Sequence, residues 1–128
     1  MSYHFSKTIL DTWDNAKEKV VDALKAEGFG VLTEIDIRST LKKKLDVDFR
    51  PYVILGACNP NFAYEALQAE EHIGTMLPCN VIMQEDKNGN IEVSAVDPVA
   101  SMQAIENKHL EKVAVEVREK LQRVIKSL

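Results

Sequence analysis

Leu55-Gly56-Ala57-Cys58-Asn59-Pro60-Asn61, an amphipathic stretch, and then Leu77-Pro78-Cys79-Asn80-Val81-Ile82-Met83-Gln84-Glu85 together decide how the chain is built. An apolar run ending at Cys58 reads as a buried strand. Asn59 stands where a helix cap is expected, and Pro60 at the first helical position, where a fixed φ and a missing N–H cost nothing. A second strand starts at Cys79. Both cysteines of the chain fall in this strand–helix–strand crossover, so chemistry or binding is expected there.

Working outward, Pro51 to Cys58 is apolar on both faces, with Tyr52, Ile54 and Cys58 opposite Val53, Leu55 and Ala57. That pattern belongs to an interior strand. The following helix runs from Asn59 to about His72, with Phe62, Ala63, Ala66, Leu67 and Ile73 inward and Gly74 as its stop. Upstream, Tyr3 to Ile9 alternates with the period of a strand. Thr12 caps a helix from Trp13 to about Glu27 whose stripe is Trp13, Ala16, Val20, Ala23 and Leu24, stopped by Gly28. Phe29 to Ile37 reads as a strand with Phe29, Val31, Thr33, Ile35 and Ile37 on one face. A short helix then spaces Ile37, Leu41 and Leu45 four apart, with Lys42, Lys43 and Lys44 on a solvated side.

Downstream, Cys79–Glu85 and Ile91–Asp97 flank Asp86-Lys87-Asn88-Gly89-Asn90, whose Asn-Gly pair signals a hairpin. Asp97-Pro98 opens a short helical piece through about Ala104. Asn107 to Leu128 carries the clearest helical stripe: Leu110, Val113, Ala114, Val117, Leu121, Val124, Ile125 and Leu128.

With 128 residues, 45% hydrophobic and 28% charged, the chain fits one domain, residues 1–128, that buries a core without disulfide or metal staples. A net charge of −4 lacks the basic excess that holds a phosphate backbone, so a general nucleic-acid binder is disfavoured. The first residues, Met1 to Lys7, show no apolar export segment, and no stretch approaches the ~18 apolar residues of a membrane span. Cytoplasmic residence is the expectation, with both thiols reduced.

The element order predicts an α+β fold: about five antiparallel strands with two main helices on one sheet face. His4, Ser6, Thr8, Glu92 and Ser94 read as wet on the other face. Leu32, Leu55, Ile82 and Val96 are assigned there too, and a partly apolar second face points to a groove or a homodimer contact. The run Gly30-Val31-Leu32-Thr33-Glu34, then Tyr52 through Pro60, Leu77-Pro78-Cys79-Asn80-Val81 and Asp97-Pro98 before Met102 resembles the prokaryotic domain-of-unknown-function family three hundred and two over essentially the whole chain. That resemblance implies a TBP-like fold: a curved antiparallel sheet ordered strand, helix, four strands, helix, with smaller helices inserted. It implies no activity, and the acidic balance gives no ground for borrowing nucleic-acid binding from the fold.

The candidate site is the set Cys58, Asn59, Pro60, Asn61, Cys79 and Asn80. If the strands on either side of the crossover pair, its two thiols lie near each other beside a helix amino end, which favours a thiolate or a bound anion. The leading expectation is a small binding or sensing module, homodimeric, taking a small molecule or anion there. The alternatives are a redox enzyme in which Cys58 reacts and Cys79 resolves the product as a disulfide, and an interaction protein whose cysteines merely pack. Zinc would need His72 with Glu70 or Glu71 beside the thiolates, but His72 is expected far along the helix from Asn59. His4 and His109 stand alone. Asn59 is explained by capping and Asn80 by a turn, while Trp13, Tyr64 and Met76 fit packing. Phosphate-loop, paired-glycine, Gly-x-Ser-x-Gly and His-Glu-x-x-His patterns are missing, so the residues name no catalytic set, no metal set and no cofactor.

Overall fold

Five extended segments form one antiparallel sheet in the computed structural model, which describes residues 2–128. The chain runs β1 (His4–Ile9), α1 (Trp13–Ala26), β2 (Gly30–Asp36), α2 (Ile37–Leu45), β3 (Tyr52–Cys58) and α3 (Pro60–Ala69). A 3₁₀ turn (Ile73–Met76), β4 (Cys79–Glu85), β5 (Ile91–Val96), α4 (Pro98–Ser101) and α5 (Lys108–Ser127) follow. The sheet order is β1-β5-β4-β3-β2. This is the expected α+β order of strand, helix, four strands and helix, once α2, α3 and α4 are treated as insertions. No described helix is long and apolar enough to cross a membrane.

One sheet face is the core. Leu55 of β3 lies opposite Val81 of β4, and Val81 opposite Ala95 of β5, all fully buried. Over them lie Ala16, Val20 and Leu24 of α1 and the whole apolar stripe of α5, from Leu110 to Ile125. An amphipathic helix keeps its fold by burying such a stripe, at about 1.5–3 kcal/mol per large side chain. Leu55 therefore belongs to the core and not to the second face, because its register partner is Val81.

β2 departs from simple alternation. Val31 pairs with Ala57 but Thr33 with Gly56, so Leu32 is an extra, bulged residue and is exposed. The bulge reverses the alternation: Val31 packs on the core, whereas Ile35 lies opposite Ile54 on the outer face. The single apolar face read from Phe29 to Ile37 is thereby split. α3 also stops at Ala69, short of His72, because Glu70 is extended (φ −147°, ψ 111°). Ile73 is buried in the separate 3₁₀ turn, in which Gly74 lies. α4 closes at Ser101.

Polar contacts fix the carboxyl end of the long helix and the start of α4. Glu27, at the end of α1, takes Arg123 of α5 at 3.0 Å. Lys7, on the core side of β1, donates to the last carbonyl oxygens of α5, Lys126 O at 3.1 Å and Leu128 O, as a cation at a helix carboxyl end should. Buried Asp97 accepts from Val99 N and so caps α4, while its own N–H donates to Tyr3 O at 2.7 Å.

At Gly56 the chain admits no side chain. A Cβ there would collide with Thr33 Oγ1 and sit 2.9 Å from Pro78 Cγ. Glycine lets β2 and the Leu77-Pro78 segment, whose peptide bond is cis, close over β3. Gly56→Ala should cost roughly 1–3 kcal/mol in chemical denaturation, as overpacking does. Thr33→Ala in the same chain should recover part of that loss, and an unchanged midpoint in the single variant would refute the close approach.

Candidate functional site

The crossover places the two thiols on neighbouring strands. Cys79 opens β4 opposite Ala57, and Cys58 follows Ala57 as the last residue of β3. Both are free thiols, Cys79 buried and Cys58 half-buried. Both line one cavity of about 290 Å³ between the end of the sheet and three helices. Its floor includes Ala57 and Cys79. Its walls are Phe62, Ala63 and Ala66 of α3 and Leu110, Val113 and Val117 of α5, with Met102 and Pro98 closing one side. Leu32 on the β2 bulge and Leu67 on α3, both exposed, stand at its margin.

Asn59 lines this cavity but makes no side-chain cap on α3. Its Nδ2 instead donates to Glu27 O at 3.4 Å, across the turn at Gly28 (φ +86°) that joins α1 to β2. The carbonyl at the end of α1 competes for the side chain and wins, so capping does not account for Asn59. Thr12, Asp36 and Asn107 do cap their helices through side-chain oxygens.

The other three candidates lie elsewhere. Pro60 and Asn61 are exposed in the first turn of α3, away from the cavity lining. Asn80 lies opposite Gly56 and lines a separate hollow on the outer sheet face. A one-residue step along a strand reverses the face, which is why Asn80 parts from Cys79. His72 is exposed and sits 3.6 Å from Glu70 and 3.8 Å from Glu71, outside the thiol cavity. Among the described residues no three His, Cys, Asp or Glu side chains are grouped to hold a metal ion.

The sequence reading missed the α5 and α4 walls, since the α5 stripe is read as sheet packing and nothing in its spacing says that its first two turns also face α3. The cavity chemistry is correspondingly apolar. Among the residues that line it, only Asn59 has a side chain bearing nitrogen or oxygen. Burial, with a smaller contribution from the neighbouring Cys58, pushes the Cys79 thiol up from its ordinary 9.0 to about 11.

A thiol raised in the folded state stabilises the fold fully below its unfolded pKa, and that stability is lost as pH climbs through the folded value. Compared with Cys79→Ala, the native chain should hold constant stability to about pH 8 and then lose roughly 2–3 kcal/mol between pH 9 and about 11. In the folded protein at pH 8, a maleimide should label Cys58 and leave Cys79 untouched. Equal labelling of both would contradict the burial of Cys79.

The profile of the family described as "Domain of unknown function DUF302" matches residues 5–128. The solved structure of the uncharacterized conserved protein DUF302 from Bacillus stearothermophilus is similar to this chain. It superposes with a TM-score of 0.91 at 26% identity, covering 98% of each chain. No curated protein matches the chain. The shared profile spans both thiols, the crossover and every element of the sheet, and the chain belongs to the DUF302 family of domains of unknown function.

Proposed function

We propose that this domain is a small-molecule binding module whose site is the apolar cleft between α3, α5 and the β3–β4 end of the sheet. The observation that carries this reading is the lining: a cavity of about 290 Å³ in which Asn59 alone offers a nitrogen or oxygen side chain. Small-molecule sites are concave and mostly apolar, with few polar groups to orient the ligand, and occupy ~300–1,000 Å³. The volume therefore suits a compact apolar ligand, with the Asn59 amide and the Cys58 thiol at its polar end. An anion would leave its hydration for hydrocarbon walls with few donors, so the anion reading is the weaker one.

The alternative of a two-thiol redox enzyme draws less support. Resolving a sulfenic acid needs a nucleophilic thiolate, and a thiol held near 11 is ionised to about one part in ten thousand at pH 7.

N-phenyl-1-naphthylamine, an apolar dye whose emission rises out of water, tests the proposal. It should bind saturably at one site per chain. Ala63→Phe fills the cleft and Leu67→Arg puts a charge at its exposed margin, and each should weaken binding at least tenfold with the circular dichroism spectrum unchanged. Leu67 is already exposed, so its variant stays informative if Ala63→Phe misfolds. Unsaturable dye binding, or affinity indifferent to both changes, would overturn the assignment.

A further inference from the structure

The outer face of the sheet carries a second constellation, independent of the cleft. Alternation and register bring side chains of four strands together there: Ser6 opposite Ser94, Ser94 opposite Ile82, Gln84 opposite Glu92, and Tyr52 opposite Gln84. A continuous polar row results. His4 Nδ1 and Ser6 Oγ are 2.7 Å apart, and Ser6 Oγ and Ser94 Oγ likewise 2.7 Å. Ser94 Oγ and Gln84 Nε2 both donate to Glu92 Oε1, each at 3.4 Å, and Arg50 Nε donates to Gln84 Oε1 at 3.0 Å.

The two contacts to Glu92 are long, since hydrogen bonds to a carboxylate ordinarily close to ~2.7–2.9 Å. Glu92 is thus oriented by its neighbours while its acceptor capacity is largely unspent. Beside it is a hollow of about 360 Å³ that also takes in Asn80, Ile82, Tyr3 and Tyr52. Two tyrosine rings border a floor of amide, hydroxyl and carboxylate groups. Arg50 holds Gln84 from outside the hollow and stacks on Phe49 at 4.5 Å, and the Glu92 carboxylate, the one acidic group in the lining, disfavours an anionic guest.

We propose that this hollow binds a neutral polyhydroxylated ring of monosaccharide type. Glu92 accepts from adjacent ligand hydroxyls, the Asn80 and Gln84 amides complete the pairing, and Tyr3 or Tyr52 packs on the C–H face of the ring. Each group supplies what such a ligand demands: an acceptor with free lone pairs, planar amides that both donate and accept, and an aromatic surface with a polar tip.

Amide chemical-shift titration of the full chain with glucose, galactose, mannose and ribose provides the test. At least one sugar should give saturable shifts confined to residues 3–6, 52, 80–84 and 92–96, with the cleft residues of α3 unmoved. Glu92→Gln and Tyr3→Ala should each weaken that binding tenfold or more. Tyr3 is largely exposed, so its variant reports on binding even if Glu92→Gln disturbs the sheet. Dye affinity at the cleft should stay as in the parent chain, which separates failure of this site from failure of the other. Three results would overturn the proposal: no saturable shift with any of the four sugars, shifts that survive both substitutions, or perturbation of this face that tracks protein concentration with a doubled mass and ignores sugar. The last would assign the face to a second copy of the chain.

Discussion

Burial of the α5 stripe is the constraint on which the rest of the domain depends. Seven residues of that helix, from Leu110 to Ile125, are buried, and they cover the core side of the sheet. The remaining elements are arranged by this one contact. α1 shares the same face and is tied to α5 through Glu27 and Arg123. β1 is held through Lys7 at the helix carboxyl end. α3 and α4 lie against the first turns of α5, and the space they leave there is the apolar cleft.

That geometry explains why the two faces of the sheet differ in chemistry. On the helix side, the β3 and β4 residues that alternate inward are Leu55, Ala57, Cys79 and Val81, and water is excluded to the point that a thiol loses its acidity. On the outer side the same strands present Tyr52, Asn80 and Gln84, with Ser94 and Glu92 from β5. Asn80 stays exposed, whereas Ser94, which local pattern reads as wet, is buried and satisfied by the Ser6 hydroxyl. Two neighbouring residues, Cys79 and Asn80, stand on opposite sides of this divide. Their adjacency along the chain says nothing about a shared role.

Glycine and a bulge set the finer geometry. Without a side chain at Gly56, Thr33 and Pro78 approach β3 from either side. The bulge at Leu32 turns an apolar side chain outward at the margin of the cleft and sends Ile35 to the outer face. Local pattern alone puts Ile35 on the same face as Val31, because period-two alternation has no means of showing where one strand gains a residue over its partner.

Residue order and periodicity were enough for the strand–helix succession, the hairpin at Asn88-Gly89, the Pro98 helix start and the buried stripe of the last helix, since each rests on contacts a few residues apart. The crossover was legible as well, and with it the neighbourhood of Cys58 and Cys79, because two interior strands joined by a helix leave few ways to be paired. What only the tertiary structure decided was long-range: that Asn59 turns to Glu27 and leaves its own helix uncapped, that α5 walls the thiol cavity, and that Ser6, Ser94, Glu92 and Gln84 meet as one row. Those contacts join residues far apart along the chain, and register and packing, which no local pattern encodes, bring them together.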